Sequence, residues 1–246
     1  MDVLTYGDLP DHVVDVWPHR GETAVVVVHG GFWRAQYDRT HTYPLCAALA
    51  TEGFLVAAIE YRRTGRPGGG WPGTFDDVAL AVDRLPELLG VSRLVLLGHS
   101  AGGQLAVWAA SRHRQPAGSP WRRSDAGEVA GVVSLAGICD LAAAAAADLN
   151  DGAVGDLLGG RITGEKLALA DPMRLTGGGV PTVLLHGDCD GAVPLEQSAA
   201  YAEAARAAGD PVTLRVLPGV GHFAVIKPGS AGWPAVVAAV AELSSR

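Results

Sequence analysis

Residues 93–106 read Arg93-Leu94-Val95-Leu96-Leu97-Gly98-His99-Ser100-Ala101-Gly102-Gly103-Gln104-Leu105-Ala106. After Arg93, Leu94 to Leu97 make an apolar run of strand length, and Gln104 to Ala110 is a good helix former. A strand, a tight turn with serine at its apex and a helix make a nucleophile elbow, whose strained backbone lifts the serine hydroxyl clear of the sheet. Glycines on both flanks fit that geometry, because side chains there would collide with the strand and helix being joined. The Gly-x-Ser-x-Gly pattern alone is weak in a chain with 33 glycines, and Ser100 could be an ordinary helix N-cap. Its place between a buried-type strand and a helix gives it weight.

Outward from this stretch, strands and helices alternate. Thr23 to Val28 is continuously apolar and β-branched, as in a strand buried on both faces of a parallel sheet. Val13 to Trp17 alternates weakly and reads as an outer strand, with further strands expected over 54–59, 129–135, 182–186 and 212–217. Helical spacing is expected over 42–51, 74–89, 194–208 and 233–243. The pattern predicts an α/β fold with a mostly parallel, doubly wound sheet and helices on both faces. Residues 137–179 are rich in Gly, Ala and Asp and too long for a simple connection. They read as a short lid-like helical insertion over the sheet's carboxyl edge, although the alanines at 142–147 also suit a surface helix. Neither a repeat nor a linker divides the sequence, so one domain is expected over 1–246.

A chain of 246 residues, 48% hydrophobic and 18% charged, can bury one large core. Its net charge of −7 has no clustered sign, which disfavours nucleic-acid binding. Apolar stretches are broken by Gly, Pro or charge before membrane-spanning length, so no membrane partner is expected. The first residues, Met1-Asp2-Val3-Leu4-Thr5-Tyr6-Gly7-Asp8, show neither a basic nor an apolar leader segment, and a cytoplasmic location is expected. Cys46, Cys139 and Cys189 lack C-x-x-C spacing and read as buried free thiols; the aspartates beside Cys189 would raise its pKa.

A serine hydroxyl needs a base within hydrogen-bond reach and a carboxylate to orient that base. Two loops after predicted strands, on the same carboxyl edge as Ser100, supply them. His186-Gly187-Asp188-Cys189-Asp190-Gly191 offers two aspartates, and Pro218-Gly219-Val220-Gly221-His222-Phe223 offers a histidine. Asp190 lies nearer the loop's crest and is the expected acid, while Asp188 could bond backbone amides and shape the turn. His222 is the expected base; His29, His99 and His186, at strand ends, read as loop braces, and His12, His19, His41 and His113 are set aside. An oxyanion hole needs amides aimed at the developing alkoxide. Ala101 supplies one, and Gly31 and Phe32 of His29-Gly30-Gly31-Phe32-Trp33 are the other expected donors. The order Ser, Asp, His along the chain is that of the α/β-hydrolases.

With these pieces in place, the chain resembles the α/β-hydrolase superfamily from about Val13 to the C-terminus. His29-Gly30-Gly31-Phe32-Trp33 is similar to the HGGxW signature of kynurenine formamidases (arylformamidases) and their esterase relatives, as is Gly98-His99-Ser100-Ala101-Gly102-Gly103 to their elbow. Glu60-Tyr61-Arg62 and Phe75-Asp76-Asp77-Val78 also resemble segments of that group, with Glu60 where Asn is frequent. The resemblance implies a serine hydrolase of small aryl amides or esters, N-formylkynurenine among them, working through Ser100, His222 and Asp190 without a cofactor or metal. The expected partner is a small-molecule ester or amide, and a homodimer stays open. Trp33, Tyr37, Trp71 and Phe223 are the candidate substrate-binding aromatics, and Arg62 or Arg63 reads as an ion-pair partner. A general carboxylesterase, a peptidase-like acyl hydrolase and a non-catalytic ligand-binding module are the competing readings.

Overall fold

A computed structural model describes residues 1–125 and 127–245. Eight strands form one sheet in the order β1-β2-β4-β3-β5-β6-β7-β8. They are β1 (Asp2–Thr5), β2 (Val13–Trp17), β3 (Thr23–Val28), β4 (Leu55–Ile59), β5 (Arg93–His99), β6 (Val129–Leu135), β7 (Thr182–Gly187) and β8 (Val212–Leu217). Strand β2 runs antiparallel to both β1 and β4, and every pair from β4 onward is parallel. The expected doubly wound α/β sheet is present, with one addition. Val13–Trp17 is not the outermost strand, because the short, exposed β1 pairs along its outer edge.

The helices are α1 (Tyr43–Thr51), α2 (Gly73–Leu89), α3 (Ala101–Ala110), α4 (Leu141–Ala146), α5 (Ala153–Leu157), α6 (Gly164–Ala170), α7 (Glu196–Ala207) and α8 (Trp233–Ser244). Apolar residues at helical spacing bury one face of α2 through Phe75, Val78, Val82 and Leu85, and Gly90 ends it in a left-handed turn at φ 67°. Pro194 does not open α7, which begins at Glu196.

The sheet's alternation explains its unbroken apolar strands. Along β3, Ala24, Val26 and Val28 face a core shared with α2 and α3, whereas Val25 and Val27 face a second core shared with α1 and α8. Both sides of each central strand are therefore removed from water, which stabilises by about 1.5–3 kcal/mol for each large apolar side chain fully buried.

Residues 137–179 hold α4, α5, α6 and a one-turn 3-10 helix, Pro172–Arg174. Asp171 ties this stretch together from inside: its buried carboxylate accepts from the Leu141 amide at 3.1 Å and the Met173 amide at 3.2 Å. Burial nevertheless outweighs these bonds and pushes its pKa up to about 6. A raised carboxyl pKa means that the native state prefers the protonated group, so stability falls as pH climbs from about 4 through 6. Asp171→Asn keeps the acceptor and removes the buried charge. The variant should therefore be more stable than the parent at pH 8, by on the order of 2 kcal/mol, with the gap closing near pH 4. Urea denaturation at the two pH values measures this.

Candidate active site

Ser100 sits between β5 and α3 at φ 55° and ψ −120°, a conformation that L side chains rarely adopt. The packing around it leaves no gentler turn. A Cβ on Gly98 would lie 2.0 Å from the Gly102 carbonyl oxygen, and one on Gly102 would lie 2.1 Å from that of Val28. Backbone thus meets backbone where β3, β5 and α3 converge. The Ser100 amide is tied to Leu135 of β6 at 2.8 Å, which holds the apex against the sheet.

The loop after β7 brings Asp190 to His222: Oδ2 and Nδ1 are 2.7 Å apart. The other oxygen, Oδ1, accepts from the Ala192 and Val193 amides, both at 2.8 Å, and His186 Nε2 lies 3.4 Å from Oδ2. Burial works to raise the Asp190 pKa, but the bonds from His186, His222 and the two amides prevail and hold it well below the carboxylate range. Asp188 takes the structural part, accepting from the Gly219 amide at 2.7 Å and so joining the acid loop to the base loop.

His222 is braced from behind by His99. His99 Nε2 donates to the His222 carbonyl at 3.0 Å, and the two rings lie 4.6 Å apart. Burial, together with the neighbouring His222, pushes the His99 pKa down to about 3, so no positive charge competes beside the base. His29 bridges Glu60 and the Gly30 carbonyl, each at 2.8 Å, and steadies the loop after β3. His186 likewise spans Ser198 and the Val193 carbonyl. All three strand-end histidines are loop braces, as expected.

Ser100 and His222 open onto one apolar cleft of about 60 Å³, which Gly31, Phe32, Tyr37, His41, His99, Ala192 and Phe223 complete. No hydrogen bond joins Ser100 to His222 in this resting arrangement; bonds of this kind tighten when substrate fills the site. The amides of Gly31, Phe32 and Ala101 have no backbone partner among the described residues. Phe32 and Trp33 both have positive φ, 50° and 58°, so the loop is twisted as well as glycine-rich.

Of the four candidate aromatics, Tyr37 and Phe223 reach the cleft and two do not. Trp33 is fully buried, its left-handed backbone turning the indole inward to donate to Gln104 Oε1 at 3.0 Å. Trp71 instead packs edge-on against Phe75 and Trp121, centroids 5.5 and 5.1 Å away. His41, set aside on sequence, does line the cleft, because its short helix packs it against His29. Arg62 pairs with Asp77 and Arg63 with Asp11 and Glu60, as structural ion pairs. Cys46 and Cys139 are buried, but Cys189 is exposed at the crest of its loop, and its hydrogen bond to Asp188 raises the thiol pKa.

A parallel sheet of this order with a strained serine elbow and a histidine–carboxylate pair in the following loops defines the α/β-hydrolase fold. The family model BD-FAE matches residues 18–204, and the chain belongs to that family. Two curated relatives come from Mycobacterium tuberculosis. Esterase LipC is 29% identical over 240 residues and esterase LipQ 26% over 231, covering 89% and 86% of this chain. The chain spans little more than half of each relative, 58% and 54%. Among solved structures, a truncated carbohydrate esterase from gut microbiota superposes with TM-score 0.81 at 20% identity, covering all of this chain and 97% of that one. Esterase B from Lactobacillus rhamnosis gives 0.79 at 21% identity, with 99% and 87% covered. Both likenesses concern the fold.

The Asp190–His222 pair has a direct spectroscopic test. Proton NMR at low temperature should show a far-downfield resonance from His222 Nδ1–H that disappears in Asp190→Ala and survives in Asp188→Ala. Survival in Asp190→Ala would show that the histidine takes its partner elsewhere.

Proposed function

We propose that the chain is a serine hydrolase of short-acyl carboxylic esters, with Ser100 as nucleophile, His222 as base and Asp190 as the acid that orients it. The observation that carries this reading is the shared cleft: a strained serine and a carboxylate-bound histidine, 122 residues apart in sequence, open onto the same small apolar space. Ser100 Oγ attacks the carbonyl carbon as its proton passes to His222 Nε2. Asp190, held ionised by its hydrogen bonds, stabilises the imidazolium that results. The amides of Gly31, Phe32 and Ala101 receive the oxyanion. Collapse of the tetrahedral adduct expels the alcohol, which takes the proton from Nε2. Water then attacks the acyl-serine by the same route and releases the acid.

Short acyl groups suit a cleft of about 60 Å³ with Phe32 in its wall. The curated relatives named as esterases support the ester linkage, and one solved neighbour, Thermogutta terrifontis esterase 2, is described with propionate bound. A second reading, hydrolysis of aryl formamides such as N-formylkynurenine, draws on Tyr37 and Phe223, whose rings flank the cleft where an aryl leaving group would stack. A non-catalytic ligand-binding role would bind the same molecules without turnover.

Kinetics on p-nitrophenyl acetate, butyrate and octanoate beside N-formylkynurenine separate these readings. Acetate and butyrate should exceed octanoate by at least about tenfold in kcat/KM, a step worth about 1.4 kcal/mol. Ser100→Ala should abolish turnover, and Asp190→Asn should lower kcat by about 10³–10⁴. Comparable rates across the acyl series would exclude the short-acyl reading, and undiminished turnover by Ser100→Ala would exclude the nucleophile.

A further inference from the structure

One polar group in the cleft wall has no part in the chemistry above. His41 lies in the one-turn 3-10 helix Arg39–Thr42, and its side chain lines the cleft with Ser100 and His222. Its Nδ1 is 2.6 Å from the Asp38 carbonyl oxygen, so Nδ1 carries the proton and donates it there. A neutral imidazole has a single N–H, which leaves Nε2 as a lone-pair acceptor. Burial, and then the neighbouring His29, push the His41 pKa down and favour this neutral form. Asp38, next nearest, and Glu60 behind His29 pull weakly the other way. Nε2 takes no hydrogen bond from any described residue and is not among the enclosed unpartnered atoms, so it keeps access to solvent on a side chain that lines the cleft. The edge-on rings of His29 and Tyr37, each with its centroid 5.7 Å away, fix its direction.

The cleft is small, about 60 Å³, so an occupant lies close to His41. An occupant of carbon and hydrogen alone would strip water from Nε2 and return nothing, and a buried acceptor left unpaired costs free energy. An occupant bearing a donor would satisfy it. Of the rest of the wall, Phe32, Ala192 and Phe223 present apolar surface, the exposed Tyr37 ends in a hydroxyl, and the unpartnered Nδ1 of His99 is enclosed, so His41 Nε2 is an accessible acceptor beside the nucleophile.

We propose that His41 is a specificity-determining residue, accepting at Nε2 a hydrogen bond from an O–H or N–H on the group that fills the cleft. The protein then prefers esters carrying such a donor close to the scissile carbonyl. The inference rests on the serine-hydrolase reading, since it assigns His41 to the substrate of Ser100.

Two matched pairs of esters test it. Ethyl lactate against ethyl propanoate places the hydroxyl on the acyl side; 2-hydroxyethyl acetate against propyl acetate places it on the alcohol side. The wild-type protein should favour the hydroxylated member of one pair by roughly tenfold in kcat/KM, the usual size of one satisfied hydrogen bond. His41→Phe should erase that preference, lowering kcat/KM for the hydroxylated ester about tenfold more than for its matched apolar partner. His41→Gln, which keeps an acceptor on a flexible stem, should restore part of it. Absence of a preference in both wild-type pairs, or its persistence in His41→Phe, would overturn the role of His41 while leaving the serine-hydrolase reading intact. Failure to turn over any of the four esters would instead remove that reading, and the His41 inference with it. Circular dichroism and thermal melts matching the parent would show that the variants are folded.

Discussion

The close approach of three backbones at Gly98 and Gly102 is the constraint on which the site depends. Strand β5, the first turn of α3 and the end of β3 touch there without intervening side chains. Contact that close is reached only if the turn between β5 and α3 is tight, and the turn is tight only if Ser100 accepts a positive φ. Such strain costs on the order of 1–3 kcal/mol. It is offset by α3, every residue of which is buried between the sheet and α2. The same contact fixes the loop after β3, because Gly102 packs on Val28 and His29 just before Gly30 and Gly31. One packing event therefore sets the serine and the expected oxyanion amides relative to each other.

The charge pattern around that frame is arranged in one direction. Asp190, ringed by donors, stays ionised behind His222. His99, its ring tilted beside that of His222 and enclosed, stays neutral. Residues 137–179 lie beside the loops that follow β3 and β7. Arg34, just after the glycine loop, pairs with Asp156 at 2.9 Å, and Leu149 borders a depression beside the acid loop. The insertion is thus tied by an ion pair to the segment after the glycine loop and borders the acid loop.

Much of this was legible in the sequence, and the particular residues show why. Strands β3 and β5 announce themselves because burial on both faces demands continuous apolar residues, and the elbow because sterics demand glycine. Asp188 and Asp190 could be ordered by their distance from the following helix, a local property. The short β1 escaped notice, since four exposed residues at an edge carry little pattern. The cleft wall was less legible still. Whether Trp33 faces cleft or core turns on the sign of its φ, and His41 reaches the cleft only through its packing on His29. Neither signal exists in a linear pattern of residue types.

We infer that the strained Ser100 and the amides of Gly31, Phe32 and Ala101 form a single preorganised acyl-transfer site. A crystal structure of the protein after reaction with a small aryl-leaving phosphonate tests it most directly, because the tetrahedral phosphorus mimics the intermediate. The expected structure has phosphorus bonded to Ser100 Oγ, with the phosphoryl oxygen within about 3 Å of those amides and His222 Nε2 facing the displaced group. An adduct on another residue, or a phosphoryl oxygen turned away from the Gly31–Phe32 loop, would contradict it.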